Sequence, residues 1–126
     1  MKVNIDLLLI ENSESDALVI AELLEQISQY KFEITHLVSL AEAYDFLKDK
    51  KVDIILVNLL LPDSYGIHTF DNLFKEYNQF PFLILTDIDD ESNSIGINTV
   101  QRGAQDFLVK SQIDSKTLYR SITYAI

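Results

Sequence analysis

Four polar clusters close apolar runs in this sequence: Glu11-Asn12-Ser13, Asn58, Thr86-Asp87 and Lys110-Ser111. Together they supply an acid, two amides, a hydroxyl, a second acid and an ammonium. The amides narrow the chemistry. A carboxylate at position 58 would be a charged oxygen nucleophile able to form an acyl phosphate; the neutral amide oxygen of Asn58 is a far poorer nucleophile and cannot form that product. Magnesium asks for hard, preferably charged oxygens in near-octahedral geometry. Among Glu11, Asn12 and Asn58 only Glu11 is charged. Glu11 can instead pair with Lys110 and hold the pocket shut without metal.

The elements that position these groups are legible from periodicity. Five apolar runs recur: Asp6 to Ile10, Phe32 to Val38, Asp53 to Asn58, Phe82 to Asp87 and Asp106 to Lys110. Four are nearly continuous, as strands buried on both faces of a parallel sheet are. The second alternates, as an edge strand does. Helical stripes fill the gaps. Ile20, Leu23, Leu24 and Ile27 make the first. Ser39 and Glu42 stand at capping-box spacing before Ala43, Phe46 and Leu47. Ile67, Phe70, Leu73, Phe74 and Tyr77 make a third. Ser92 to Gln101 predicts a fourth helix with Gly103 as C-cap, and Ser115 to Ile126 a fifth, with Leu118, Ile122 and Ala125 inward. These stripes are core faces rather than cofactor boxes. The alternation predicts a doubly wound α/β domain. In such sheets ligands sit outside the carboxyl ends of the strands, where the four polar clusters converge.

Composition sets the outer bounds. The 126 residues are 48% hydrophobic and 24% charged, which fits one folded domain. No apolar run approaches the ~20 residues of a membrane helix, and no signal peptide is evident. There are no cysteines, so disulfides and thiol chemistry are excluded, and a reduced, cytoplasmic setting is the expectation. Ten basic residues stand against 20 acids, a net charge of −10 that argues against direct binding to nucleic acid. With three glycines and no P-loop, a nucleotide enzyme is not indicated. A flavin module would need a Ser-, Thr- and Gly-rich loop after the first strand, and "ENSESD" carries three acids that repel phosphate.

The constellation resembles the receiver domain of two-component response regulators (the CheY-like superfamily) over nearly the whole chain. "LPDSYG" (Leu61 to Gly66) is similar to the family's turn after the third strand. "FLILTD" is similar to its fourth strand, and "GAQDFLVK" (Gly103 to Lys110) to its fifth. The resemblance implies a flavodoxin-like fold, a five-stranded parallel sheet in the order 2-1-3-4-5 with five helices. It implies a phospho-acceptor position at Asn58, an acidic pair at Glu11 and Asn12 for Mg²⁺, a switch hydroxyl at Thr86, a switch aromatic at Phe107 and the family's lysine at Lys110. Ser111 stands where Pro is common.

The departures at Asn58 and Asn12 give the expectation of a pseudo-receiver: no catalysis, a degenerate Mg²⁺ site that is empty or weakly bound, and signalling by protein contacts. The alternative is a phosphorylatable regulator that uses a substitute acceptor, or one whose Asp was replaced in the laboratory; the second amide at Asn12 speaks against that replacement. Partners implied by the resemblance are a histidine kinase, an output domain or a second copy. The face implied is that of the fourth helix, fifth strand and fifth helix.

Other polar groups receive plainer readings. Asp87, Asp89, Asp90 and Glu91 suit the N-terminus of the fourth helix, with Asp87 as a candidate metal ligand. Asp63 belongs to a turn, His36 and His68 are isolated, and Ser13 and Ser15 cap the first helix. The apolar pattern runs to Ile126, so residues 1–126 are expected to be one receiver-like domain, the N-terminal part of a longer signalling protein.

Overall fold

The computed structural model describes residues 2–87 and 90–126, the side chains of residues 90–93 excepted. In chain order the elements are β1 (Val3–Ile10), α1 (Glu14–Glu25), β2 (Tyr30–Leu37), α2 (Leu40–Leu47), β3 (Ile54–Asn58), β4 (Leu60–Leu61) and β5 (Ser64–Tyr65). There follow α3 (Ile67–Tyr77), β6 (Phe82–Thr86), α4 (Asp90–Gln101), β7 (Asp106–Val109) and α5 (Ser115–Ala125). The main sheet runs β2-β1-β3-β6-β7 with every pairing parallel. That is the expected 2-1-3-4-5 once the small β4–β5 hairpin is set aside.

The continuous apolar runs are explained by two cores. Side chains alternate across a strand. Leu7 and Leu9 of β1 pack with Ala17, Ile20 and Leu24 of α1 and Leu118 and Ile122 of α5. Leu8 and Ile10 face the other way, onto Leu40, Ala43 and Leu47 of α2 and Phe70 and Leu73 of α3. β3 and β6 are buried at every position, and β2, at the sheet edge, alternates.

The helix starts follow local chemistry. The Ser13 hydroxyl accepts from Asp16 N–H, and Ser39 accepts from Glu42 N–H. Ser15 does not cap as expected; among the described residues its hydroxyl meets only that of Ser13. The α4 helix begins at Asp90, before the expected Ser92. Gly103 follows it with φ 129°, and the Phe74 ring lies where a Cβ would stand, 2.5 Å away, so the position is closed to side chains twice over. Among the described residues no helix is long and apolar enough to cross a membrane.

The "LPDSYG" turn is the β4–β5 hairpin, pairing Leu60 with Tyr65 and Leu61 with Ser64. Two-residue bridges leave no periodicity in a sequence, so only the turn was expected. Its tip reaches across the molecule: both carboxylate oxygens of Asp63 accept from the first N–H groups of α2, at 2.8 Å (Leu40) and 2.9 Å (Ala41). Burial works to raise the Asp63 pKa, but these backbone hydrogen bonds outweigh it and hold the carboxyl below its usual range.

Candidate functional site

The sheet brings the ends of β1, β3, β6 and β7 to one crevice, and with them Glu11, Asn58, Thr86 and Lys110. Glu11 is fully buried and Asn58 is nearly so. The Asn58 amide Nδ2 shares its two hydrogens among Glu11 Oε1 at 3.1 Å, Asn12 Oδ1 at 3.1 Å and the Leu60 carbonyl at 3.2 Å. Only a donor can sit between those oxygens, which fixes the orientation of the amide. Ser13 N–H also donates to Glu11 Oε1, at 3.2 Å.

The Lys110 ammonium closes the pocket from the β7 side. It lies 3.4 Å from Glu11 Oε2, 2.8 Å from Asp16 Oδ2 and 3.7 Å from Asp87 Oδ1. Burial pushes the Glu11 carboxyl above its ordinary value; the nearby Lys110 charge and the Ser13 N–H offset this in part. Burial acts to lower the Lys110 pKa. The hydrogen bond to Asp16 and the fields of Glu11, Asp16 and Asp87 prevail, and the ammonium is held above its ordinary value.

Two residues that contact the crevice were not singled out for it from sequence. Asp16 went unremarked, because an acid in the first turn of a helix is ordinary there; its contact with Lys110, at 2.8 Å, becomes visible only once β7 is set beside the crevice. His36 Nε2 lies 2.6 Å from the Glu11 carbonyl, so this isolated histidine pins the turn after β1. Asp87 turns toward Lys110. Asp89 lies outside the described residues, as do the side chains of Asp90 and Glu91, so the expected acidic patch is seen only at Asp87.

Thr86 and Phe107, the expected switch positions, are both packed in place. The Thr86 hydroxyl is buried and points at the Leu108 carbonyl, 3.4 Å away. The half-buried ring of Phe107 lies against Gly96 of α4; a Cβ on Gly96 would stand 2.6 Å from that ring. Glycine at 96 therefore gives the aromatic its seat. Lys110 opens a short 3-10 turn through Gln112, with Ser111 inside it.

The donor set does not fit Mg²⁺. Charged oxygens are wanted, but the crevice offers one buried carboxylate already engaged by Lys110, and an Asn58 NH₂ group faces the oxygens that would have to bind the ion. Among the described residues, no group of three or more His, Asp or Glu side chains is placed to hold a metal.

The family model of the response regulator receiver domain matches residues 7–123. The chain is a response-regulator receiver domain. It is 33% identical over 79 residues to the transcriptional regulatory protein SrrA of Staphylococcus aureus, a match spanning 63% of this chain and 32% of that protein. The chain thus spans about a third of that relative's length. Among solved structures, a signal receiver domain assigned to a Luxo repressor protein of Vibrio parahaemolyticus is 27% identical, with TM-score 0.80 over 98% of this chain and 90% of that one. The Francisella response regulator 1452 receiver domain has TM-score 0.79 at 21% identity, covering 97% of this chain and 96% of that one, and shows the shared fold.

Proposed function

We propose that this receiver domain works as a pseudo-receiver, a signalling module that acts through protein contacts without an aspartyl phosphate. One observation carries the reading: the Asn58 amide donates to both Glu11 and Asn12, so the crevice is satisfied internally where the family would place a phospho-acceptor and a metal. Lys110, the residue that would meet a phosphoryl group, is instead engaged by Glu11, Asp16 and Asp87. The partner is a kinase, an output domain or another signalling protein. The face of α4, β7 and α5 suits such a contact, since Ile97, Val100 and Tyr124 are exposed apolar side chains there.

Beryllofluoride with Mg²⁺ reproduces an aspartyl phosphate on a free carboxylate and tests this reading. The amide resonances of Thr86 and Phe107 are expected not to move. Saturable shifts at both residues would refute the proposal.

A further inference from the structure

The edge of β2 is open and lies apart from the crevice and from the α4–β7–α5 face. β2 is eight residues long and pairs with β1 without interruption from Tyr30 to Leu37. It lies at the end of the sheet. It contains no proline and no bulge, two devices that blunt an edge; the charges it does carry, Lys31 and Glu33, are of opposite sign. The ladder bonds flanking it run from Val3 N–H to the Gln29 carbonyl and from Glu11 N–H to the Leu37 carbonyl, both odd-numbered residues of the β2 segment. By the two-residue period of a strand, odd residues turn their backbone groups to β1. Tyr30, Phe32, Ile34 and His36 therefore aim theirs outward.

The side chains around this edge are arranged for a copy of themselves. Tyr30, Phe32 and Ile34 lie on the α1 side of the sheet and are only partly buried. They line a groove of about 490 Å³ with Leu18 and Ala21 of α1, and Leu18 is 60% exposed. Lys31 and Glu33 lie on the opposite face, exposed, and among the described residues neither is ion-paired within the chain.

The geometry points to a two-fold dimer in which β2 pairs antiparallel with β2 of a second copy, centred on Phe32. Antiparallel pairing needs outward-facing residues opposite one another, so even-numbered residues must face even-numbered residues. Any centring on a residue satisfies this, and charge decides among those near the strand centre. Centring on Ile34 sets Glu33 against the partner's Thr35 and Lys31 against the partner's Leu37, which leaves both charges unmatched. Centring on Lys31 sets lysine against lysine, and centring on Glu33 sets glutamate against glutamate. Centring on Phe32 sets Lys31 against the partner's Glu33 and Glu33 against the partner's Lys31. It also joins Tyr30 to the partner's Ile34 and Phe32 to the partner's Phe32. About six backbone hydrogen bonds form across the axis. The interface is isologous, as a closed dimer requires. The two α1 helices flank the shared apolar strip, and Leu18 of each is covered.

Sedimentation equilibrium across a concentration series, at fixed salt, tests the pairing. The wild type is expected to dimerise. Lys31→Glu and Glu33→Lys, each alone, set like charges opposite and should weaken the dimer about tenfold or more. The double exchange Lys31→Glu/Glu33→Lys should restore it. Hydrogen exchange should show the Phe32 and Ile34 amides gaining protection with concentration, while Lys31 and Glu33 amides do not change. A chain that stays monomeric throughout would overturn the inference. So would a dimer indifferent to both single exchanges, including one lost instead on Tyr124→Glu, which would place the contact on the α4–β7–α5 face.

Discussion

Asn58 Nδ2 lies 3.1 Å from Glu11 Oε1, between two side chains that in a metal-binding receiver would both be acids. An amide hydrogen thus occupies the place where a cation would neutralise facing carboxylates. The bond ties the end of β3 to the turn after β1 and leaves Glu11 tolerable in a fully buried position.

That bond predicts the behaviour of Asn58→Asp. Replacing the donor by a carboxylate sets two anions face to face and should cost about 1–3 kcal/mol in metal-free buffer. Added Mg²⁺ should recover part of that loss, because a ligand bound only by the folded state stabilises it. Denaturant melts with EDTA and with Mg²⁺ check this. The wild-type midpoint should be the same in both.

Lys110→Met should be among the most destabilising single changes in the crevice. It strands buried Glu11 without its cation, a loss of about 3 kcal/mol for a broken buried pair. The Glu11→Gln/Lys110→Met double variant should regain much of that stability, as a double-mutant cycle in urea would show.

Glu11 also sets a pH dependence. Its folded pKa lies above the ordinary 4.5. Folded protein therefore binds the more protons just above pH 4.5, and this contribution to stability is full below that value and is lost as pH rises through the folded pKa. Glu11→Gln should flatten that decline. Lys110, also raised, contributes stability below its ordinary 10.5 that is lost as pH climbs through its folded pKa. Asp63 has the opposite sign: its folded pKa is depressed, so its contribution is present above 3.8 and lost as pH falls through the folded value. Urea titrations of wild type, Glu11→Gln, Lys110→Met and Asp63→Ala separate the three.

Asp63→Ala removes two hydrogen bonds to the start of α2, leaving Ser39 as its side-chain cap. The loss should be about 1–2 kcal/mol. It should appear as faster hydrogen exchange in α2, with β6 and β7 unaffected.

Gly96→Ala drives a methyl into the Phe107 ring. The gain in helix propensity is smaller than the cost of forcing a ring from its seat, so a net loss of about 1–2 kcal/mol is expected. The near-ultraviolet circular dichroism of the aromatic side chains should change with it.

Much of this molecule was legible before its structure. Continuous runs such as "IILV" require burial on both faces, and the 3.6-residue stripes of α3 and α5 require a covering layer, so the parallel sheet follows. The strand ends then collect Glu11, Asn58, Thr86 and Lys110. What escaped was long-range and lacked a pattern. Asp63 caps a helix 22 and 23 residues upstream. Asp16 looks like an ordinary first-turn acid until Lys110 is set against it. The pairing preference of β2 needs the parity of its backbone groups, which depends on the register with β1. Alternation alone marks an edge strand without saying what its edge fits.

Intact mass after incubation with acetyl phosphate and Mg²⁺ tests the central claim most directly, with the Asn12→Asp/Asn58→Asp variant beside the wild type. The wild type should keep its mass while the variant gains one phosphoryl group. A phosphoryl adduct on the wild type would contradict the account, and its position would name the residue that took over from Asn58.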